Sequence, residues 1–469
     1  MDITPRTLLC LLIPLALTSC AYYGDIHGHS HQLTTHDLSQ HHSYPHHPEP
    51  LKTSAWWKRF NDPELNQLIA TALQDSPNMQ IAAARLRRAQ QIAAGTASAL
   101  WPYLDINGYL QRQRFSQFGL VPPPFNGKVF NIGDLGLNFN YELDFWGKNR
   151  EALKASLDQA CSASAEFAES ELIISTAVAN AYLELKNNIS QVKIANDRWK
   201  INEDILKIAR DRYRHGINSE IPVNTIQSNA EAAKQLLEQY RQAAALARYQ
   251  LAVLLGKNPL TTSIEIENQK YRAWHATLPS SIPAHLLANR PDIYAAKYRL
   301  EAAASQIKVA KARFFPDINL NAFYAFQSVE LNKLFLSNSK NWAVSGAVDL
   351  PIFDAGERRA NLGVKYAEYD MAVNEYNQTL LSALQEVAAS LASLRSIHSQ
   401  LIAQHSAFQA IRRKYQLDLS RYRHGIEDYS QLIESKETFL QEQARQLDLQ
   451  MRHHQAVVAM LKALGGRDG

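Results

Sequence analysis

From Lys148 to Tyr213 the chain contains neither proline nor glycine, and after Gly356 an equivalent stretch is broken only by Gly363. Proline and glycine disrupt helices more than any other residues, so each stretch predicts one helix of roughly 65 residues, about 100 Å long at 1.5 Å per residue. A helix several times the ordinary globular length does not fit inside a compact domain. Each stretch ends at the same hexapeptide, Arg-Tyr-Arg-His-Gly-Ile, at Arg212–Ile217 and Arg421–Ile426. The two glycines stand 209 residues apart (425 − 216), and the same offset relates Gly147 to Gly356, Arg150 to Arg359, and Leu255-Gly256 to Leu464-Gly465. The chain is an internal duplication, and its function belongs to a doubled unit.

At each hexapeptide the glycine can take the left-handed conformation that closes a helix. The residues that follow, Ser219 and Pro222 in one copy, Glu427 and Asp428 in the other, are good helix-start chemistry. Each site therefore predicts the tip of a helical hairpin, with return helices running to Leu255 and Leu464. Shorter helical segments are expected at Pro63–Ala99 and Pro291–Arg313. In the long stretches Leu172, Ile173, Val178, Leu183 and Leu185 are diluted by Ala, Ser, Asn and Gln. That mixture fits a wide array of helices with one face on water better than a solid coiled coil with strict heptads.

Between the helical segments the periodicity changes to two. Leu104, Ile106 and Leu110 alternate with Asp105, Asn107, Gln111 and Gln113; Leu135, Leu137, Phe139, Tyr141 and Leu143 alternate with Asp134, Asn138, Asn140, Glu142 and Asp144. The second half repeats the pattern with Ile318, Leu320, Tyr324 and Phe326, then Trp342, Val344, Val348 and Leu350. Strands are predicted at about 103–114, 130–144, 317–328 and 341–350, one hairpin per half. Strands of about ten residues with one apolar and one polar face suit a membrane barrel. Four strands are too few, since lipid requires every backbone group to be paired and single-chain barrels begin at about eight. Three chains pooling their hairpins would supply twelve; a soluble amphipathic sheet packed on helices is the other reading.

The first residues place Arg6 before an apolar run, Leu8–Leu17, too short to span a membrane, which predicts a secretory signal over 1–19. Leu17-Thr18-Ser19-Cys20 resembles a bacterial lipoprotein signal; that resemblance makes Cys20 the acylated first residue of the mature chain, and Ala21 fits outer-membrane delivery. Residues 20–50 are polar, with His27, His29, His31, His36, His41, His42, His46 and His47 among Gly, Ser and Pro. They read as a tether, or as a site of weak metal capture by imidazoles. Cys161 is the third cysteine, with no disulfide expected, and a net charge of +4 over 469 residues is too mild to imply nucleic acid.

Several motifs together identify a resemblance: Trp56-Trp57-Lys58-Arg59-Phe60 with Asp62-Pro63-Glu64-Leu65, the Ala83–Ala89 run around Arg85-Leu86, Arg290-Pro291-Asp292-Ile293 with Leu300-Glu301-Ala302-Ala303, and the two tips. The chain resembles the TolC-like outer-membrane efflux proteins, in particular their NodT-type lipoprotein branch, over nearly its whole mature length. The fold implied is mainly α with a membrane β-barrel: a trimer whose twelve pooled strands form the barrel, continued by a periplasmic α-helical tunnel. The repeats would span 51–258 and 283–469, with long helices at about 148–214 and 355–423, tips at 212–220 and 421–429, and a linker at 259–282. Such a protein is a passive duct, not an enzyme, that docks to a periplasmic adaptor and an inner-membrane pump and exports drugs, metals or other small solutes. By the same resemblance Tyr213, Gly216, Ile217, Tyr422, Gly425 and Ile426 contact the adaptor. Glu434 falls at the family's acidic constriction, with Glu427 and Asp428 as alternatives, while the family's other acidic position is Gln431 here. Independently, the sequence holds no nucleotide loop, His-Glu-x-x-His, nucleophile elbow or paired-cysteine metal motif, and His453-His454 are neighbours that point in different directions on a helix. No cofactor is expected beyond the lipid on Cys20. A duct for secreted proteins and a His-rich periplasmic metal-binding lipoprotein are the competing readings.

Overall fold

The computed structural model describes residues 26–33, 55–262, 264, 266 and 290–466. The expected signal, Cys20, His36, His41, His42, His46, His47 and most of the linker lie outside the described residues. The elements run α1 (Pro63–Asp75), α2 (Pro77–Ala97), β1 (Tyr103–Arg114), β2 (Val129–Glu142), α3 (Lys148–Arg214), α4 (Glu220–Leu254), α5 (Pro291–Ala312), β3 (Asp317–Ser328), β4 (Lys340–Asp349), α6 (Glu357–Arg423) and α7 (Tyr429–Ala463).

The duplication is carried to the residue in the helices. Helices α3 and α6 are each 67 residues long, α4 and α7 each 35, and both pairs keep the 209-residue offset. Gly363 is absorbed without a break in α6. One expectation is corrected: Pro63–Ala99 is two helices, not one. Pro77 lacks an amide hydrogen and disfavours helical backbone in the residue before it, and Ser76 is accordingly extended, with ψ 129°.

The chain divides into two compact units. One comprises the described residues of Met1–Gln32 with Leu86–Ala163 and Ala296–Asn377. It holds a four-stranded antiparallel sheet in the order β1-β2-β3-β4. The register aligns the apolar faces: Ile106 opposite Leu137, Leu137 opposite Tyr324, and Tyr324 opposite Trp342. Leu104, Ile106, Leu110, Trp342, Val344 and Val348 are all more than half exposed. On the other face Asn138 donates to Asp105 Oδ2 and Asn107 Oδ1, both at 3.0 Å. Where strands give way to helices, Trp146 stacks on Phe315 at 4.7 Å and donates to the Pro316 carbonyl at 2.9 Å. Lys148 reaches both Glu142 and Asp317.

In this unit the N-terminal residues form a strap along α6. The Asp370 carboxylate accepts from the amides of His29 and Ser30 at 2.9 Å. Asn374 donates to Ser30 Oγ and Asn377 to the His31 carbonyl. Ile26 packs on the cluster of Ile307, Ala310, Phe314 and Leu362.

The other unit comprises Leu33–Arg85, Ser164–Ala295 and Gln378–Gly469 in its described parts. Trp56 is buried and donates to Ser175 Oγ at 3.1 Å. Tyr182, also buried, donates to Asp62 Oδ2 at 2.9 Å and Glu64 Oε2 at 3.1 Å, and Lys186 donates to its hydroxyl. Burial first, then the two carboxylates, pushes the Tyr182 phenol far above its ordinary range. Buried Arg290 donates to the Ala463 carbonyl and to Asp292 and Glu386, so the Arg-Pro-Asp motif pins the end of α7 as well as starting α5.

Candidate functional site: the hairpin tips

Each tip is closed by the same pair of backbone bonds. The Gly216 amide donates to the Tyr213 carbonyl and Ile217 to Arg212; Gly425 donates to Tyr422 and Ile426 to Arg421; all four are 2.9 Å. This is the Schellman closure of a helix C-terminus. Both glycines sit at φ +73°. A β-carbon would meet nothing within 4 Å at either, so the need for glycine comes from backbone conformation rather than space. The histidine ring folds back in both copies, with His215 Nδ1 2.7 Å from the Asp211 carbonyl and His424 Nδ1 2.7 Å from Ser420.

The side chains the tips present are apolar and uncovered: Ile217 is 64% and Ile426 67% exposed, and Tyr213 and Tyr422 are also exposed. Behind the first tip, Leu206 and Ala209 of α3 pack on Val223 and Ala230 of α4. Further along, Ile194 and Ile201 of α3 cluster with Ile433 and Leu440 of α7, and Phe439 of α7 stacks on Phe408 and Tyr415 of α6 at 5.6 and 5.3 Å. The tips are thus projecting ends of an apolar helical packing.

The copies diverge just past the turn. In the second, Asp428 caps α7 by accepting from Gln431 N at 3.0 Å, Glu427 pairs with Arg421 at 2.8 Å, and the rings of Tyr422 and Tyr429 lie 5.7 Å apart. In the first, Ser219 stands at the cap position of α4 but its side chain makes no capping bond. Glu434 is exposed on α7, and nearby Glu437 accepts from Arg198 Nε of α3 at 2.7 Å.

The sequence profile described as "Outer membrane efflux protein" matches residues 68–257 and 282–466, two segments that follow the two repeats. The chain belongs to the outer membrane efflux protein family. It is 30% identical over 352 residues to the multidrug resistance outer membrane protein MdtQ of Escherichia coli O6:H1, covering 73% of each chain. To the fusaric acid resistance protein FusA of Burkholderia cepacia it is 32% identical over 317 residues, 66% of this chain and 59% of that one. The solved outer membrane protein VceC of Vibrio cholerae matches with a TM-score of 0.76 at 31% identity, over 87% of this chain and 98% of that one. The outer-membrane channel OprN matches with a TM-score of 0.79 at 26% identity, over 95% and 98%. The chain is accordingly an outer-membrane efflux channel of the barrel-and-helical-tunnel fold.

Of the histidines expected to capture metal, His27, His29 and His31 fall among the described residues, all exposed on the strap. Among the described residues no group of three or more His, Cys, Asp and Glu is placed to hold a metal ion. Sequence reading did not reach two arrangements. His453 of α7 faces His398 of α6 with ring centroids 6.0 Å apart, while His454 beside it is buried. Asp158, with Glu301, Glu151 and Lys154 around it, is desolvated so that burial first and Glu301 next push its carboxyl up to about 6. Neither leaves a local sequence signal, because the partners come from another helix or from packing.

Proposed function

We infer that three copies of this chain close a twelve-stranded barrel and act as the passive exit duct of a tripartite efflux system. The observation that carries this reading is the sheet: four strands, an apolar face continuous across all of them, and edges at β1 and β4 that pair with no further strand among the described residues. Unpaired edges are not tolerated in lipid, and three such sheets joined edge to edge leave none. The long helices would form the periplasmic tunnel, and Cys20 would carry the lipid that anchors the chain. Resistance to multiple drugs and to fusaric acid in the relatives' names supports small organic solutes as cargo.

The tips are the docking sites for the periplasmic adaptor, through Tyr213, Gly216 and Ile217 and their counterparts Tyr422, Gly425 and Ile426. Exposed apolar side chains on a rigid, twice-repeated turn fit a partner that engages both copies alike. The inner-membrane pump supplies the energy. Glu434, repeated by threefold symmetry, forms an acidic constriction near the tips, while Glu427 and Asp428 also have local structural work in the turn. The test is co-purification from native membranes: the wild-type chain should bring down an adaptor and an inner-membrane pump. Gly216→Val combined with Gly425→Val should lower adaptor recovery at least about tenfold while trimers persist, since β-branched residues resist left-handed backbone. Undiminished recovery with that variant would remove the tips from the interface.

A further inference from the structure

The two tips present some groups alike and others differently. Arg214 pairs with Asp211 in the first copy, where the second has Ser420 in place of that acid. Arg421 pairs with Glu427 at 2.8 Å in the second, where the first has Asn218. The Tyr422 ring lies 5.7 Å from the Tyr429 ring, and the first copy has Glu220 at that place. A partner engaging both tips therefore meets the arginines and tyrosines in unlike surroundings. The histidines differ from these.

Each histidine holds one carbonyl twice. The His215 amide donates to the Asp211 carbonyl at 3.1 Å, and its ring Nδ1 lies 2.7 Å from the same oxygen. His424 repeats the arrangement on the Ser420 carbonyl, at 3.2 and 2.7 Å. The change from Asp211 to Ser420 leaves it intact because the acceptor is main chain. A carbonyl oxygen only accepts, so Nδ1 carries the proton, and in the neutral ring Nε2 is then an acceptor. Neither Nε2 has a hydrogen-bond partner among the described residues, and both histidines are exposed. Closing the helix end accounts for Nδ1 and leaves Nε2 unused.

We propose that His215 and His424 supply the polar half of the docking contact, each accepting through Nε2 a hydrogen bond from an N–H or O–H group of the periplasmic adaptor. This rests on the reading of the tips as adaptor-docking sites and names the chemistry the adaptor must bring to them. Its facing surface is apolar where it meets Ile217 and Ile426 and carries a donor two residues' distance away. A ring already fixed by its helix end loses little freedom on binding, and the same fixed acceptor on both copies lets one adaptor surface serve either tip.

The test separates the two nitrogens. An asparagine amide can occupy the place of Nδ1 and keep the bond to the carbonyl without an outward acceptor, whereas a glutamine amide reaches outward with an acceptor oxygen. The adaptor that co-purifies with the wild-type chain is purified and titrated against immobilised detergent-solubilised trimers. His215→Asn with His424→Asn should weaken its binding at least about tenfold, with unchanged amide exchange at the tips and trimers retained on gel filtration. His215→Gln with His424→Gln should bind within about threefold of wild type. Equal binding by the Asn and Gln variants, whether unchanged or lowered alike, would overturn the contact through Nε2. Gly216→Val with Gly425→Val serves as the reference: if it loses binding while the histidine variants bind equally, the tips still dock and only the histidine contact fails. If it binds as wild type does, the docking reading itself fails.

Discussion

At the residue scale, glycines with positive φ proved the most legible signals because the demand they meet is local. Gly216 and Gly425 need only backbone freedom; Gly256, at φ +72°, needs room as well, since a β-carbon there would sit 2.6 Å from the Asp75 carbonyl oxygen. Arg290 was legible only as a helix start, because its further partners Glu386 and Ala463 lie 96 and 173 residues away. Asp158 was not legible at all, since desolvation is a property of packing. Its carboxyl is raised to about 6 against an ordinary value of 3.8. The folded chain therefore holds that proton more tightly than the unfolded one, and this contribution to stability is complete below the ordinary value and lost as pH rises through about 6. Asp158→Asn should raise the apparent Tm at pH 7.5, by about 1 kcal/mol of stability once solvent screening of a half-exposed group is allowed for. Thermal scans of both proteins should converge at pH 4. A variant no more stable at pH 7.5 would contradict the assignment.

At the element scale, the long helices were the clearest feature because helix-breaking residues are absent from the first and reduced to Gly363 in the second. The strands were placed to within two residues by their alternation. The break at Ser76 was missed because the apolar pattern runs across it and only Pro77 marks it. The strap was missed for a different reason: residues 26–33 have the composition of a tether, and what orders them is a row of side chains on α6 more than 330 positions away. The two return helices start differently, and this is testable. Asp428→Ala should remove about 1 kcal/mol from the start of α7, seen as faster amide exchange in its first turn, whereas Ser219→Ala should change α4 little. Equal effects would contradict the difference in capping. Glu434→Ala should raise single-channel conductance in planar bilayers; an unchanged value would place the constriction elsewhere.

At the scale of the whole molecule, one chain has a sheet whose apolar face is in register but whose edge strands have no further partner among the described residues. The shortage was legible in the sequence, because four strands could be counted and set against what lipid requires. In the proposed assembly the partners that relieve it are other copies of the chain, and a single sequence does not spell out their number. The 209-residue repeat of helices, tips and positive-φ glycines gives each chain two near-equivalent tips, six in the proposed trimer. The central claim is that open sheets close between chains into a conducting pore. Native mass spectrometry of the detergent-solubilised protein, with the same preparation then fused into planar bilayers, tests it most directly. A trimer with discrete channel conductance is the expected result; a monomer that remains silent in the bilayer would contradict closure between chains.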